Sequence, residues 1–172
     1  MQASVVAKEL AGRYEREHVF MNQVTLEVTK EQLVELLSTL KKAPYGFEVL
    51  MDLTGVDYLE PEPHTKVIYF LHNPTNLERI RVALSAKREE AIPSVVSLWV
   101  GADWYERELF DLYGVLFDGH PDLKRILMPD DWKGHPLRRD YPLTEESVEF
   151  KHGVEPKVPS EIIPYVKATR PS

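Results

Sequence analysis

The residues best suited to acid–base chemistry lie close together in the second half of the sequence. Glu106, Arg107 and Glu108 are followed by Asp111, and His120 comes nine residues later. A carboxylate and an imidazole within hydrogen-bonding distance can act as a general acid and base. One hypothesis is therefore a stand-alone hydrolase or lyase that uses Glu106 and His120.

The spacing of apolar residues predicts a helix over residues 103–113, which would position these side chains. The apolar arc of this helix consists of Tyr105, Leu109, Leu112 and Tyr113. The polar face opposite consists of Arg107, Glu108 and Asp111. Glu106 falls on the apolar side, where an unpaired charge costs several kcal/mol. Asp103 and Glu106 have the spacing of an N-cap and an N3 residue, so we expect Glu106 to cap its own helix or to form a structural ion pair. Contact with a partner and a chemical role are the alternatives.

Other motifs that carry chemistry are weak or missing. His120 and His135 are fifteen residues apart and each precedes a proline, which does not match the spacing of a helical metal site. The sequence contains no phosphate-binding glycine loop, no GxSxG and no HExxH. We therefore expect no metal site in this chain.

Composition excludes several classes of function. The 172 residues include no cysteine, which rules out disulfides, zinc ribbons and thiolate-ligated iron–sulfur clusters. The net charge of −7 argues against a nucleic-acid or anionic-membrane binder. Lys8 and Glu9 come too early for a signal peptide, and no apolar run is long enough to span a bilayer. We expect a cytoplasmic location.

The first ninety residues predict an α+β fold. Helices are expected over residues 4–17 and after Thr29, whose spacing to Gln32 fits a capping box. The predicted strands are residues 19–28, 47–54, 66–72 and 77–84, with a loop over 55–63 and a hairpin turn over 73–76. The order of the elements favours two or more helices on a mixed, mainly antiparallel sheet, followed by a short helix and an extended, proline-rich C-terminal segment.

The sequence suggests three regions: an α+β domain over residues 1–93, a helix and extended interface segment over 94–143, and an extended or partly disordered tail over 144–172. Charge reverses within the second region. Residues 103–122 hold six acids and one arginine, a net charge of −5, whereas residues 123–140 have a net charge of +2. Such runs indicate either a solvated surface or contact with charged partners.

The second region resembles the C subunit of respiratory complex I, the proton-pumping NADH:quinone oxidoreductase. The signature residues are Glu106, Arg107, Glu108, Asp111, His120, Lys124 and Ile126. The continuation over residues 128–142, which includes Trp132, His135 and Arg138-Arg139-Asp140-Tyr141-Pro142, is also similar to that family.

The resemblance implies a non-redox structural or assembly subunit of the hydrophilic arm of a multi-subunit enzyme. FMN, iron–sulfur clusters and quinone would be bound by other subunits. The implied partners are the D subunit, which holds the quinone site, and the cluster-bearing B and I subunits. The implied location is the cytoplasmic face of a bacterial inner membrane, with only indirect membrane contact. The corresponding subunit of a photosynthetic or hydrogenase-type complex is an alternative, as is a generic adaptor.

The resemblance also suggests which residues meet a partner. We expect residues 119–142 to extend over a neighbouring subunit, with Arg138 and Arg139 available for bidentate pairing with carboxylates. The predicted interface residues are Trp132, His135, Arg138, Arg139, Asp140 and Tyr141.

Overall fold

The computed structural model describes Val6, residues 16–20 and residues 23–142. In chain order the elements are β1 (Arg16–Phe20), β2 (Gln23–Glu27), α1 (Lys30–Lys41), β3 (Val49–Tyr58), β4 (His64–His72), β5 (Arg79–Lys87), β6 (Ala91–Pro93), α2 (Ala102–Tyr113) and β7 (Leu116–Asp118). No helix within these ranges is both long and apolar enough to cross a membrane.

Five of the strands form one mixed sheet in the order β1-β2-β5-β4-β3. The β2–β5 pair is parallel and the other three pairs are antiparallel. A separate parallel pair joins β6 to β7. The predicted α+β class, with helices on a mainly antiparallel sheet, is confirmed.

Helix α1 packs against one face of this sheet through its apolar stripe, which has the period that the sequence predicts. Leu33, Leu36, Leu37 and Leu40 are fully buried. The Thr29 N–H donates to the side-chain oxygen of Gln32 at 3.3 Å, so the predicted capping box is present.

The hairpin between β4 and β5 also forms as predicted. Asn73 fixes its turn, since its side-chain oxygen accepts hydrogen bonds from the N–H groups of Thr75 (2.9 Å) and Asn76 (3.2 Å).

Several boundaries differ from the sequence prediction. The single strand expected over residues 19–28 is two antiparallel strands, β1 and β2, and β1 already includes Arg16 and Glu17. The remainder of the helix predicted over residues 4–17 lies outside the described residues, except for Val6, which is helical and buried. Strand β3 continues to Tyr58, into the predicted loop, because β4 pairs with it up to that residue, with one register shift between Leu50 and Asp52.

Helix α2 lies against β3, at the edge of the sheet. A Cβ atom at Gly55 would come within 2.9 Å of Leu109 Cδ2, so the missing side chain lets the helix approach closely. Two aromatic side chains join this region to the edge strand: Trp99 Nε1 donates to the Glu48 carbonyl at 2.7 Å, and the Tyr105 hydroxyl donates to the Met51 carbonyl at 3.2 Å.

The N-cap of α2 is Gly101, and no side chain caps the helix there. Of the two structural roles predicted for Glu106, capping of its own helix is therefore wrong, whereas the contact that an ion pair requires is present, with His120 at 4.0 Å. The helix begins one residue earlier than expected, at Ala102, and Glu106 is fully buried on the apolar side that the helical wheel predicted.

Candidate functional site

Asp111 of α2 organises the segment that follows the helix. Its side chain is fully buried, and one carboxylate oxygen accepts hydrogen bonds from three consecutive backbone N–H groups, those of Ile126 (3.0 Å), Leu127 (2.7 Å) and Met128 (2.8 Å). The other oxygen accepts from Arg125 Nη1 at 2.7 Å. We call residues 119–142 the C-terminal strip; Asp111 holds its middle part against α2.

The donors around Asp111 also stabilise its charge. Burial alone raises the pKa of a carboxyl group, but the Met128 N–H, the Arg125 guanidinium and the two neighbouring N–H groups together outweigh burial, so the pKa of Asp111 lies below its usual value. Asp111 is therefore ionised at neutral pH. The sequence prediction placed it on the polar face of the helix; the strip covers the part of that face where Asp111 lies, and Glu108 remains exposed.

Two arginines fold the strip around this carboxylate. Besides its contact with Asp111, Arg125 donates from Nη2 to the carbonyl oxygens of Trp132 (3.2 Å) and Gly134 (2.9 Å). Arg107 donates from Nε to the Lys124 carbonyl at 3.1 Å. A guanidinium offers several donors in a fixed plane, so each arginine can join several backbone groups at once.

The strip also satisfies the carbonyl oxygens at the end of α2, which a helix leaves without partners. The three pairs are Leu137 N with Leu112 O (3.0 Å), Arg138 Nε with Tyr113 O (2.6 Å) and His135 Nδ1 with Asp111 O (2.9 Å). Gly114, which ends the helix with a φ of 72°, lets these side chains approach, since a Cβ there would lie 2.2 Å from Arg138 Nη2.

A second buried carboxylate, Glu106, lies nearer the start of α2. One oxygen accepts a hydrogen bond from the Val95 N–H at 2.7 Å, and the other is 4.0 Å from His120 Nε2. This second oxygen has no hydrogen-bond partner among the described residues, and the same is true of the buried hydroxyl of Tyr69. Burial raises the pKa of Glu106 against the opposing effects of the Val95 N–H, the Ser94 hydroxyl and His120.

His120 connects this carboxylate to the strip. Its Nδ1 accepts a hydrogen bond from the Asp122 N–H at 3.1 Å, which leaves the proton on Nε2, 3.0 Å from Asp103 Oδ1. The structure thus brings Glu106 and His120 together, as the acid–base hypothesis requires. However, both side chains are fully buried, so no substrate can reach them in this conformation.

Asp57, near the end of β3, is a buried residue that the sequence analysis missed because it lay in a predicted loop. It accepts hydrogen bonds from the Thr65 hydroxyl (3.1 Å), Arg88 Nη2 (2.9 Å) and the Arg139 N–H (2.9 Å). Its last partner belongs to the strip, so Asp57 joins the end of the strip to the sheet. Gly55 and Asp57 are buried while the apolar neighbours Val56 and Tyr58 are exposed, so the polarity pattern of the sequence contained no signal for the burial of Asp57.

The other predicted site residues are distributed between the interior and the surface. His135 and Arg138 point toward the end of α2, whereas Arg139 and Asp140 are exposed. Trp132, Tyr141 and Ile126 are half-buried, and Glu108 and Lys124 are exposed. Among the described residues, no three His, Cys, Asp or Glu side chains are grouped closely enough to hold a metal ion.

Comparison with known proteins identifies the family. Residues 26–147 match the model of the family described as respiratory-chain NADH dehydrogenase, 30 Kd subunit. The chain belongs to this family. A relative from Phenylobacterium zucineum, named as the C subunit of an NADH-quinone oxidoreductase, is 47% identical over 133 residues, which cover 77% of this chain and 62% of the relative. One of the same name from Roseiflexus castenholzii is 43% identical, covering 76% of each chain.

The fold is also found in a solved structure. A chain of the membrane-bound sulfane sulfur reductase, an archaeal respiratory membrane complex, superimposes with a TM-score of 0.70 over 81% of this chain and 85% of that one. At 22% identity, this likeness shows the fold alone. The predicted family is confirmed, and the residues from which we predicted it lie on α2 and in the strip.

Proposed function

We propose that this chain is a non-redox structural subunit of the hydrophilic arm of an NADH:quinone oxidoreductase. In that role it binds no cofactor and contributes no catalytic residue, while FMN, iron–sulfur clusters and quinone are held by neighbouring subunits. Membership of the family supports the assignment. The lack of cysteine supports the part that concerns thiolate-ligated clusters.

The observation that carries the proposal is how the signature residues are used. Asp111 and Arg107 hold the strip against α2, and Glu106 and His120 lie inside the protein. Charged groups that chemistry would require at an accessible site are instead engaged in internal contacts. Such an arrangement gives the strip one defined shape, which lowers the entropy lost when a partner binds it.

The partners that we propose are the D subunit, which holds the quinone site, and the cluster-bearing B and I subunits, on the cytoplasmic side of the membrane. The strip, with residues 94–143 as the interface region, is the surface that we assign to them. Arg139 supports this assignment, because its backbone is fixed by Asp57 while its side chain is exposed and available to a partner carboxylate. Trp132 supports it as well: its Nε1 is buried and has no hydrogen-bond partner among the described residues.

A tagged form of the chain, purified from native membranes at low and moderate salt, tests the function. We expect the other hydrophilic-arm subunits to co-purify, with NADH oxidation and the EPR signals of iron–sulfur clusters that this chain does not hold. A matched pair of variants tests whether partner binding depends on the strip that Asp111 holds. Asp111→Asn removes the charge that holds the strip and should reduce co-purification, whereas Glu35→Gln changes an exposed carboxylate on α1, outside the interface region, and should not.

Two results would contradict the proposal. One is a tagged chain that recovers no redox subunits at either salt concentration. The other is a small-molecule reaction catalysed by the isolated chain and lost in Glu106→Gln, which would instead support the acid–base enzyme.

A further inference from the structure

A small cavity lies at one end of the large sheet, between β2, β4 and β5. Its volume is about 270 Å³, and its walls include Phe70, Leu77, Arg79 and Arg81. We call it the arginine cavity. It is smaller than the roughly 300–1,000 Å³ usual for small-molecule sites and has room for one or two protein side chains.

The sheet register explains why the two arginines lie together. Arg79 and Arg81 are two residues apart on β5, so their side chains point to the same face of the sheet. Arg81 lies opposite Phe70 of β4, and Arg79 lies opposite His72. The helices pack on the other face, where Leu71 and Ile80 are buried. The arginine cavity therefore belongs to a different surface from the strip.

The charges in this cavity are not balanced. None of the ion pairs found among the described residues includes Arg79 or Arg81. The Nε atom of Arg81 is buried and has no hydrogen-bond partner in the described part of the chain. Glu78 also lines the cavity, so its wall carries two positive charges and one negative charge, a net of +1. The whole protein has a net charge of −7. A buried donor without a partner is costly, and a carboxylate would remove that cost.

Two exposed apolar side chains, Leu77 and Phe20, lie at or near this cavity. Leu77 is 74% exposed and has a φ of 61°, a left-handed conformation that disfavours leucine and suits asparagine or glycine. Phe20 is 59% exposed and pairs with Gln23, which lines the cavity. Leu77 lines the cavity together with the two arginines, and Phe20 lies on the edge strand β1, separated from β5 by β2. Backbone strain of this kind clusters at functional sites.

We propose that the arginine cavity binds an acidic segment of another subunit of the same assembly. A carboxylate of that segment pairs with Arg79 and Arg81, and an apolar neighbour packs against Phe70 and Leu77. The opposite charge of the cavity selects such a segment over a basic or neutral one. The inference rests on the proposed function, because it takes the partner from that complex, and it adds a second contact surface on the opposite face of the sheet.

Photo-crosslinking in native membranes tests this proposal. The tagged chain carries p-benzoylphenylalanine in place of Phe20, and after irradiation the complex is purified and the crosslinked peptides are sequenced. We expect a crosslink to a peptide of another subunit that contains Asp or Glu near the point of attachment. The double variant Arg79→Gln/Arg81→Gln should reduce the crosslink yield at least about tenfold, since each lost charge pair removes a desolvated contact. The control Lys42→Gln/Lys87→Gln also removes two positive charges, but from outside the cavity, and should leave the yield within about twofold.

A second variant separates binding from folding. Leu77→Asn should lower the yield severalfold while leaving the melting temperature unchanged or higher, because asparagine tolerates a positive φ. Three results would overturn the proposal: a crosslink within the chain itself, a crosslink to a segment without carboxylates, or equal loss in the two double variants. If the redox subunits co-purify but no crosslink forms, this inference alone fails. If they do not co-purify, the proposed function fails and this inference fails with it.

Discussion

Helix α2 carries two buried carboxylates little more than one turn apart, and their surroundings differ. Asp111 accepts hydrogen bonds from three backbone N–H groups and one guanidinium. Glu106 accepts one from Val95, and its second oxygen lies 4.0 Å from an imidazole. The pKa of Asp111 is accordingly lowered, whereas burial raises the pKa of Glu106.

Burial raises the pKa of both carboxyl groups, and the number of donors decides whether that effect is outweighed. Asp111 has enough donors to remain charged in the interior, and its charge holds the strip. Glu106 has fewer, so its ionised form is the costly one. We therefore expect the two residues to respond in opposite ways to substitution and to pH.

Removal of Asp111 should have the largest effect. In Asp111→Ala the Arg125 guanidinium and three N–H groups lose their acceptor, and breaking such a buried pair costs about 3–5 kcal/mol. Urea unfolding of the purified chain measures the loss of stability. Glu108→Ala is the matched control, since Glu108 is exposed and its removal should change the free energy of unfolding by less than about 0.5 kcal/mol. Equal losses in both variants would contradict the role that we give to Asp111.

Gly114→Ala should have the next largest effect, because it separates the strip from α2 without altering either carboxylate. The new Cβ would lie 2.2 Å from Arg138 Nη2 and 2.5 Å from His135 Cδ2, at a residue with a positive φ. The backbone strain together with the displaced side chains should cost about 2–3 kcal/mol. Hydrogen exchange can locate the change: faster exchange of the Leu137 N–H, with the Val95 N–H unaffected, is the expected result. Gly101→Ala, where the Cβ would meet nothing within 4 Å, is the control.

The pH dependence of stability should distinguish the two carboxylates by sign. Because the pKa of Asp111 lies below its usual 3.8, its contribution is present above that pH and is lost as the pH falls through the folded-state value. Because the pKa of Glu106 lies above its usual 4.5, its contribution is present below pH 4.5 and is lost as the pH rises through the folded-state value.

Glu106→Gln tests the prediction for Glu106 at pH values above 4.5. Glutamine keeps an acceptor for the Val95 N–H and has no charge, so the variant should gain stability relative to the native chain as the pH rises from 4.5 toward neutrality. We expect the net change at neutral pH to be about 1 kcal/mol or less in either direction. Unfolding curves at several pH values measure it. A variant that loses more stability at higher pH would show that Glu106 is ionised and well paired.

The sequence could predict the elements whose signals are local. The leucine period of α1, its capping box, and the Asn73 turn lie within a few residues of one another, and each formed as expected. The positions of Glu106 and Asp111 were harder to predict. A helical wheel sorts the residues of one helix by polarity. It contains no information about the strip that covers Asp111, so it placed Asp111 on the polar face and could not show that the side chain is buried.

Contacts over long sequence separations account for the other differences. Asp57 lies 82 residues from Arg139, and no local pattern could indicate that the two meet. The family signature compensated in part, since it marked Asp111, His120 and Lys124 as important without stating what they contact.

The smallest effect on stability should come from Lys124, although it belongs to the same signature as Asp111. Its ammonium group lies 2.9 Å from Asp122, but the two side chains are 72% and 61% exposed, and exposed pairs contribute about 0–1 kcal/mol. Lys124→Ala should therefore leave the free energy of unfolding nearly unchanged. We expect Lys124 to act at the surface of the strip, so its removal should reduce co-purification with the redox subunits without altering the fold. A loss of stability comparable to that of Asp111→Ala would show that the strip is held by surface charge as much as by the buried carboxylate.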